Sequence, residues 1–397
     1  MPHYDSVVIV GYGIAGMTAA DTLRAEGFDG HITIIGAEQS EPYSRPALSK
    51  AMMSAEADLA PQFLPPSAHG ADVLLGRRAV GLDRQRRQVA LDDGTSLSYD
   101  GLVIATGSTA RRFTDDPREF VVRGADEAAT VRSRLASRPR VVILGGGPLG
   151  MEVASGAREL VCPVTLVQSG QPMARQLGPY LAELCRRAAE ERGVTFINDT
   201  VTEVFAPDDP NAALTVRLAQ APPIPADVVI SAIGDRPADD WLADSGLLTD
   251  GRLLVDDCGR VCPTVAPPSG QPGIENIVAA GDIAWHPAED GHRRSPLWTA
   301  AIEGAKTAAT ALLAGRTSTP RPYSPYFWTE QFGLNIRVSG TFPLDGEPEV
   351  VAHGQTRDPE ALLLRWNTDG TGSAAAVNYR IPIPRLHKVA QGIDPVA

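Results

Sequence analysis

The chain has 397 residues, more than one hydrophobic core usually organises, so we expect two or three domains. Its formal net charge is −12, from 48 acidic and 36 basic side chains, which argues against a general binder of nucleic acid or of acidic membrane surfaces. There is neither a basic-then-apolar leader nor an apolar run long enough to span a membrane. The sequence therefore predicts a cytoplasmic protein that does not associate with membranes.

The cysteines and histidines give no sign of a disulfide framework or a metal site. The four cysteines are too few and too scattered for such a framework in a chain of this length. Cys258 and Cys262 form a C-x-x-x-C spacing, which is compatible with a redox-active pair, although two ordinary thiols are the simpler interpretation. The seven histidines show no metal-binding spacing with one another or with cysteine, so no metal is predicted.

Two glycine-rich motifs of the type G-x-G-x-x-G are the main signal in the sequence. The first runs from Gly11 to Gly16 and the second from Gly145 to Gly150. Each follows a β-branched apolar run and precedes an alanine-rich segment, the strand–turn–helix context of dinucleotide binding. The first glycine permits a tight bend, the second lets the backbone approach a pyrophosphate, and the third lets helix and strand pack closely. Two motifs therefore predict two nucleotide sites.

Two later apolar runs also end at glycine, and their likeness predicts two structurally related domains. Residues 99–107 and 226–234 each lead from a strand-like run into a turn of small residues. We therefore predict an α/β fold with two Rossmann-like, doubly wound nucleotide-binding domains and a smaller α+β C-terminal domain. The residues predicted to line the nucleotides are Gly11, Gly13, Ile14, Ala15, Gly16, Ala105, Thr106 and Gly107 for the first site, and Gly145, Gly147, Pro148, Leu149, Gly150 and Gly234 for the second.

Further motifs occur in the order seen in one flavoprotein family. They are residues 41–50 (EPYSRPALSK), 105–107 (ATG), 150–152 (GME), 280–282 (AGD) and 325–331 (PYFWTEQ). Over essentially its whole length the chain resembles the FAD-dependent, NAD(P)H-linked ferredoxin reductases, a family that includes the reductase components of aromatic-ring dioxygenases. The resemblance implies an FAD-binding domain over 1–110 and 245–316, an NAD(P)H-binding domain over 111–244 and a C-terminal domain over 317–397.

The resemblance implies that Lys50 and Glu152 meet beside the flavin N5 atom. An ammonium there stabilises negative charge on reduced flavin, and the carboxylate keeps the lysine charged. Two unrelated solvated side chains are the alternative. Arg45 would reach the flavin or its phosphates, with a surface arginine as the alternative.

Other FAD contacts are implied in the same way. Gly281 and Asp282 would meet the ribityl chain, whereas an Asp at this position also suits the cap of a following helix. Glu38 would bind the adenosine ribose, or remain a solvated turn residue. Trp298 and Trp328 would lie at the flavin edge, or be packed in the protein interior.

The second nucleotide site departs from the family pattern at the end of the strand after the motif. NADH-using members usually present Asp or Glu there, and this chain has Gln168. An amide still bonds a ribose hydroxyl but does not repel a 2′-phosphate, so use of NADPH or of both nucleotides is expected. Arg175 lies downstream, where it would reach such a phosphate or serve as a structural loop arginine.

The resemblance implies that electrons pass from NAD(P)H through FAD to a small iron–sulfur ferredoxin that feeds an oxygenase. Because ferredoxins are acidic, we expect a locally basic docking edge, with Arg293 and Arg294 as its candidates and a solvated loop as the alternative. We expect a monomer or weak dimer. No cysteine pair follows the first motif, so a dithiol relay is not expected. A flavin oxidase or monooxygenase and a slow redox-sensing flavoprotein remain as alternative functions.

Overall fold

The computed structural model describes residues 4–53, 61–209, 212–262, 274–357, 360–368 and 371–393. These residues form two compact units. The first contains residues up to 44, residues 62–109 and residues 236–323. The second contains residues 45–61, 110–235 and 324 onwards. The division of the sequence into three functional domains stays a prediction.

The chain forms six helices and twenty-six strands in its described residues, and helices and strands alternate around the two glycine motifs. The helices are α1 (Ile14–Ala25), α2 (Ala125–Leu135), α3 (Pro148–Glu159), α4 (Ala174–Glu191), α5 (Trp298–Ala314) and α6 (Ile383–Ala390). The strands before α3 are β1 (Ser6–Val10), β2 (His31–Gly36), β3 (Asp72–Leu75), β4 (Ala79–Asp83), β5 (Gln88–Leu91), β6 (Ser96–Ser98), β7 (Gly101–Ile104), β8 (Ser108–Ala110), β9 (Glu119–Phe120) and β10 (Val141–Leu144). The next are β11 (Val164–Gln168), β12 (Val194–Asn198), β13 (Val201–Phe205), β14 (Leu214–Leu218), β15 (Ile224–Ala226), β16 (Val228–Ser231) and β17 (Asp235–Pro237). The last are β18 (Leu253–Leu254), β19 (Ile277–Ala279), β20 (Ala284–Ala288), β21 (Gly291–Arg293), β22 (Tyr326–Gln331), β23 (Leu334–Ser339), β24 (Glu349–Arg357), β25 (Glu360–Thr368) and β26 (Thr371–Val377).

The first unit is built on a five-stranded parallel sheet in the order β19-β7-β1-β2-β3. Alanine-rich α1 and α5 pack on one face, where small side chains allow close approach. The antiparallel strands β4 and β5 contribute side chains to the core on the other face. Because both faces are covered, the strands are continuous apolar runs rather than alternating ones.

The second unit repeats this plan with a five-stranded sheet in the order β12-β11-β10-β16-β9. In both units the strand before a glycine motif lies centrally, between the strand that follows the helix and a later strand. The antiparallel strands β13, β14 and β15 supply the core on one face of β10. The two units therefore share a sheet topology, as the similar strand-to-glycine runs in the sequence predicted.

The C-terminal part of the second unit is a five-stranded antiparallel sheet in the order β22-β23-β26-β25-β24. Helix α6 packs on it through Leu386, Val389 and Ala390. The Phe332 N–H donates to Ser155 Oγ on α3 at 2.7 Å, which ties the end of β22 to that helix. The predicted fold class, two Rossmann-like domains and a smaller α+β part, is confirmed.

No helix in the described ranges is both long enough and apolar enough to cross a membrane.

Candidate active site and nucleotide-binding turns

The first glycine motif forms a tight turn between β1 and α1. Gly11 has a φ of +111°, and a Cβ at this position would lie 2.2 Å from the Ala105 carbonyl oxygen. A Cβ on Gly16 would lie 1.9 Å from the Gly11 oxygen. By contrast, nothing lies within 4 Å of a Cβ built on Gly13, the N-cap of α1. The turn therefore needs glycine for its shape and leaves open space where a phosphate meets the helix N-terminus.

The second motif forms the same turn between β10 and α3. Gly145 has a φ of +100°, and its Cβ would lie 2.4 Å from the Ala232 oxygen. A Cβ on Gly150 would lie 2.0 Å from the Gly145 oxygen, whereas the nearest atom to a Cβ on Gly147 is 3.9 Å away. Neither α1 nor α3 carries an acidic residue in its first turn. Both turns therefore fit a pyrophosphate without charge repulsion.

Small residues beyond β7 and β16 support the two turns. In the first unit, Thr106 Oγ1 donates to the Ala238 carbonyl at 2.8 Å, and Ala238 N–H donates to the Gly107 carbonyl at 3.0 Å. In the second unit, Gly234 follows β16 with a φ of +92°. Ala105 and Thr106 lie beside the first motif, because a Cβ on Gly11 would meet their backbone atoms. The role of these small residues toward the nucleotides stays a prediction.

The residues that follow β2 and β11 make different contacts. Glu38 is exposed and accepts a hydrogen bond from Tyr43 Oη at 2.5 Å. Gln168 is the last residue of β11, and its Oε1 accepts the Gly146 N–H at 2.7 Å. Its Nε2 donates to the Ser169 carbonyl at 2.8 Å. The Gln168 amide is therefore fastened directly to the second glycine turn.

Arg175 lies at the start of α4, close in the chain to a loop that contacts the second turn. Met173 N–H donates to the Gly146 carbonyl at 2.8 Å, and Arg175 follows two residues later with an exposed side chain. This position places an exposed arginine two residues after the loop residue that bonds the second turn. Its role toward a nucleotide phosphate stays a prediction.

Asp282 lies just beyond the carboxyl end of β19, next to the start of α1. Ser108 Oγ donates to Asp282 Oδ2 at 3.2 Å, and a Cβ on Gly281 would lie 3.2 Å from Ala15 Cβ. The chain continues from Asp282 into β20, not into a helix. The alternative that Asp282 caps a following helix is therefore wrong, and its carboxylate lies at the edge that carries the first glycine turn.

Lys50 and Glu152 form an ion pair inside the second unit. Lys50 Nζ lies 3.0 Å from each carboxylate oxygen of Glu152, and the two side chains are only 12% and 3% exposed. The alternative of two unrelated solvated side chains is wrong, because burial at this level requires pairing. Glu152 lies in α3, so the helix that begins at the second glycine turn also carries this carboxylate.

A short turn of the chain brings Lys50 to α3. The 3-10 turns at Arg45–Ala47 and Ala51–Met53 flank the lysine. A Cβ on Gly156 of α3 would lie 2.6 Å from Met53 Cβ and 2.7 Å from the Met53 oxygen. Gly156, one turn after Glu152, is thus the close contact that lets the lysine approach the carboxylate.

Hydroxyl groups complete the binding of the Glu152 carboxylate. Ser49 Oγ donates to Oε2 at 2.5 Å, and Thr329 Oγ1 donates to Oε1 at 2.6 Å. Sequence reasoning missed both residues. Their sequence separations from Glu152 are 103 and 177 residues, and serine and threonine have no spacing signature that could have revealed the contacts.

Two aromatic residues and one arginine were also predicted to lie at the site. The ring of Trp328 is centred 5.5 Å from Lys50 Nζ and stacks on Tyr326, with 5.9 Å between ring centroids. Trp298 is half-buried as the first residue of α5. Arg45 Nη1 donates to the Arg123 carbonyl at 2.7 Å. Trp328 thus lies beside the ion pair, and the contacts of all three with flavin stay predictions.

Comparison with known proteins yields one family and several relatives. A family model described as pyridine nucleotide-disulphide oxidoreductase matches residues 5–305. The chain is 34% identical to the biphenyl dioxygenase system ferredoxin–NAD(+) reductase component of Paraburkholderia xenovorans (strain LB400), covering 94% of this chain and 90% of that protein. It is 33% identical to the chlorobenzene dioxygenase ferredoxin reductase component of Cupriavidus sp. (strain PS12), covering 94% and 89%. Among solved structures, the covalent putidaredoxin reductase–putidaredoxin complex matches with a TM-score of 0.82 at 26% identity, covering 99% of this chain and 94% of that one.

Proposed function

The chain belongs to the pyridine nucleotide-disulphide oxidoreductase family, and from this premise we propose that it is the ferredoxin reductase of an oxygenase system. Its relatives at 34% and 33% identity carry the names of ferredoxin reductase components of dioxygenase systems. It is an NAD(P)H-dependent oxidoreductase with FAD as its bound cofactor. When bound, FAD would supply the chemistry that links a two-electron donor, the nicotinamide, to an iron–sulfur acceptor of single electrons.

The observation that carries this proposal is the pair of matching glycine turns. Each has a first glycine at positive φ, a closely packed third glycine and open space over the middle one. The turn at Gly11 would hold the FAD pyrophosphate, with Asp282 and Glu38 as hydroxyl acceptors for its ribityl and ribose groups. The turn at Gly145 would hold the nicotinamide nucleotide. Two cofactors in one chain are what a pyridine nucleotide-linked flavoenzyme requires.

Lys50 and Glu152 are the proposed reaction-site pair. Lys50 would supply a positive charge that stabilises negative charge on reduced flavin, and Glu152 holds the ammonium in place through the ion pair. Both side chains are largely shielded from solvent, so their charges interact more strongly than exposed charges would. Trp328, beside the lysine, shields the pair from water on one side.

The proposed nucleotide specificity is dual. Gln168 offers an amide rather than a carboxylate at the end of β11, so it brings no negative charge against a 2′-phosphate. Its Oε1 accepts the Gly146 N–H and one N–H of Nε2 donates to the Ser169 carbonyl, so the second N–H of Nε2 is the proposed donor toward the nucleotide. A donor at this position suits a 2′-phosphate as well as a 2′-hydroxyl.

Arg293 is the proposed steering residue for an acidic ferredoxin. Its side chain is 71% exposed, and its nearest acidic partner, Asp290, is 3.7 Å away. Arg294 has a different environment, because it donates to the Asp282 carbonyl at 3.1 Å and lies 5.6 Å from the Trp285 ring centroid. We propose that Arg293 attracts the partner while Arg294 braces the loop behind it.

The testing experiment is anaerobic stopped-flow mixing of the yellow holoprotein with NADH or NADPH, followed by oxidised ferredoxins. Rapid bleaching and reoxidation by a ferredoxin is the expected result. Reoxidation by oxygen or a small molecule alone would instead identify an oxidase or monooxygenase. Slow turnover with every acceptor, together with a redox-dependent change of mass, would identify a redox-sensing protein.

The state of the cysteines bears on whether a dithiol could carry the electrons. All four are free thiols, and Cys162, Cys185 and Cys258 are buried. Burial raises the pKa of Cys185 to about 12, so this thiol stays protonated and unreactive. Direct transfer from flavin to a docked partner is therefore the proposed route.

A further inference from the structure

The bonds that hold Glu152 extend into the C-terminal sheet. Thr329 Oγ1 donates to Glu152 Oε1 at 2.6 Å, and Gln331 Nε2 donates to Thr329 Oγ1 at 3.0 Å. Thr329 and Gln331 are alternate residues of β22, so their side chains share one face of the strand. Both are buried, with 0% and 3% of their surface exposed. A buried polar chain thus runs from the edge of this sheet to the ion pair.

Which atom donates in each of these hydrogen bonds follows from the protons that the groups carry. A threonine hydroxyl has one proton to donate, and an ionised carboxylate can only accept. The Thr329 proton must therefore point to Glu152, and Thr329 must accept a proton from the Gln331 amide. A reversed Gln331 amide would take the Thr329 proton and leave two oxygen atoms facing each other at Glu152.

The unpaired atom at Gln331 is consistent with this direction. Gln331 Oε1 is buried and has no hydrogen-bond partner in the part of the chain that the structure describes. An unpaired buried acceptor is unfavourable, and reversing the amide would not relieve it without breaking the bond to Glu152. A hydrogen bond to a charged group is the stronger one, so the observed orientation is kept.

We propose that Gln331 and Thr329 form a one-way hydrogen-bond relay that positions Glu152 against Lys50, so that the C-terminal sheet is part of the reaction site. The proposal rests on the proposed function, because it assigns positioning residues to the Lys50–Glu152 pair. Neighbouring residues of β22 contact both members of that pair, since Thr329 binds Glu152 and the Trp328 ring lies 5.5 Å from Lys50 Nζ. Ser49 binds the other carboxylate oxygen.

The first test removes the Thr329 hydroxyl at nearly constant volume in the FAD-bound protein. We expect Thr329→Val to slow flavin reduction by NADH about tenfold, because one bond to a charged group is lost. Thr329→Ser keeps the hydroxyl and should restore most of the rate. Thr307→Val is the matched control, since Thr307 is also buried and its hydroxyl donates to the Glu303 carbonyl within α5.

The second test reads the position of Glu152 without turnover. The rate of Lys50 acetylation in the holoprotein, measured by mass spectrometry of the peptide that contains Lys50, reports how well the Glu152 carboxylate protects the Lys50 amine from the reagent. We expect severalfold faster labelling in Thr329→Val and wild-type labelling in Thr329→Ser and Thr307→Val. In a Lys50→Ala background, Thr329→Val should add little further slowing, because the relay acts through the lysine pair.

Two results would overturn the relay. One is unchanged reduction and labelling in Thr329→Val, and the other is a Thr329→Ser variant as slow as Thr329→Val, which would indicate packing rather than hydrogen bonding. Should Thr329→Val fail to retain FAD, Gln331→Leu supplies the test, with a smaller slowing of about threefold expected. Failure of the wild-type flavin to be reduced by either nucleotide would instead reject the proposed function.

Discussion

The two glycine turns, one in each unit, share a backbone and differ in the side chain that stands beside it. Gly11 and Gly145 both have positive φ angles, and both would place a Cβ within 2.4 Å of a carbonyl oxygen from a neighbouring strand end. The side chain compared at the end of the next strand is Glu38, two residues past β2, in the first unit and Gln168, the last residue of β11, in the second. Backbone sterics thus define a dinucleotide site, whereas a single side chain adjusts which nucleotide it prefers.

The side chains also differ in how they are held. Gln168 is bonded to its own glycine turn through the Gly146 N–H, but Glu38 is bonded to Tyr43. The hydrogen bond of Gln168 couples the residue proposed to face the ribose to the backbone proposed to face the phosphates. The bond to Tyr43 leaves the Glu38 carboxylate on an exposed turn. We therefore expect substitutions at the second turn to change nucleotide preference more sharply than equivalent substitutions at the first.

The largest effect should come from adding a Cβ to the first glycine of either turn. Gly11→Ala should yield protein without FAD, because the added carbon would lie 2.2 Å from the Ala105 oxygen. Gly145→Ala should keep the yellow colour but slow flavin reduction by more than about 100-fold, since the nucleotide is misplaced. Absorbance at purification and stopped-flow reduction measure the two outcomes.

Gly304→Ala is the control for these variants. Nothing lies within 4 Å of a Cβ built on Gly304 in α5, so this change should affect neither FAD content nor reduction. Equal loss of FAD in Gly11→Ala and Gly145→Ala would contradict the assignment of one cofactor to each turn.

The next largest effect concerns the Lys50–Glu152 ion pair, whose carboxylate lies on α3, the helix that follows the second glycine motif. Lys50→Ala should slow flavin reduction about 30-fold, because a charge-assisted contact is lost. The slowing should be equal for NADH and NADPH, since Lys50 is proposed to act on the flavin and not on the ribose. Lys306→Ala removes a more exposed lysine paired with Glu303 and should leave the rate unchanged. A wild-type rate in Lys50→Ala would remove the lysine from the site.

A smaller effect is expected when Gln168 is given the acidic side chain that Glu38 has in the first unit. Gln168→Glu should shift the NADH/NADPH ratio of kcat/KM about tenfold toward NADH, because the new charge repels a 2′-phosphate. The mirror change Glu38→Gln should leave this ratio unaltered. Steady-state kinetics with both nucleotides measure the shift, and an unmoved ratio in Gln168→Glu would mean that this residue does not face the ribose.

The smallest effect concerns surface charge in the first unit. Arg293→Gln should raise the KM for ferredoxin about two- to threefold at low salt, with the difference disappearing as salt screens the charge. Arg187→Gln changes an exposed arginine of the second unit, paired with Glu183 at 3.6 Å, and is the matched control. Identical effects of the two changes would show that net charge, not a docking edge, is responsible.

The sequence allowed the fold class to be predicted because its main signals are local. A glycine turn between a strand and a helix is readable from six residues, and it occurs twice. The strand order of the C-terminal sheet was not predictable, because β23 pairs with β26 across more than thirty intervening residues. Family membership, enzyme class and cofactors, which the resemblance implied, are confirmed by the comparisons.

The candidate site was predictable only in part, because several of its contacts join residues that are far apart in the sequence. The resemblance singled out Lys50 and Glu152, and the structure brings them together. Ser49 and Thr329 were missed because a hydroxyl that bonds a distant carboxylate leaves no pattern in the chain. The bond from Gly146 to Gln168 was also missed, since sequence shows that a residue follows a strand but not what its amide binds.

The placement of residues 45–61 in the second unit has a consequence for how this protein can be divided. The segment lies early in the chain, between parts of the first unit, yet it delivers Lys50 to the helix that carries Glu152. A recombination event that exchanged residues 110–235 as a block would therefore separate the lysine from its carboxylate. The second unit can be exchanged as a block only if residues 45–61 and β22, the strand that bears Thr329, are exchanged together with residues 110–235.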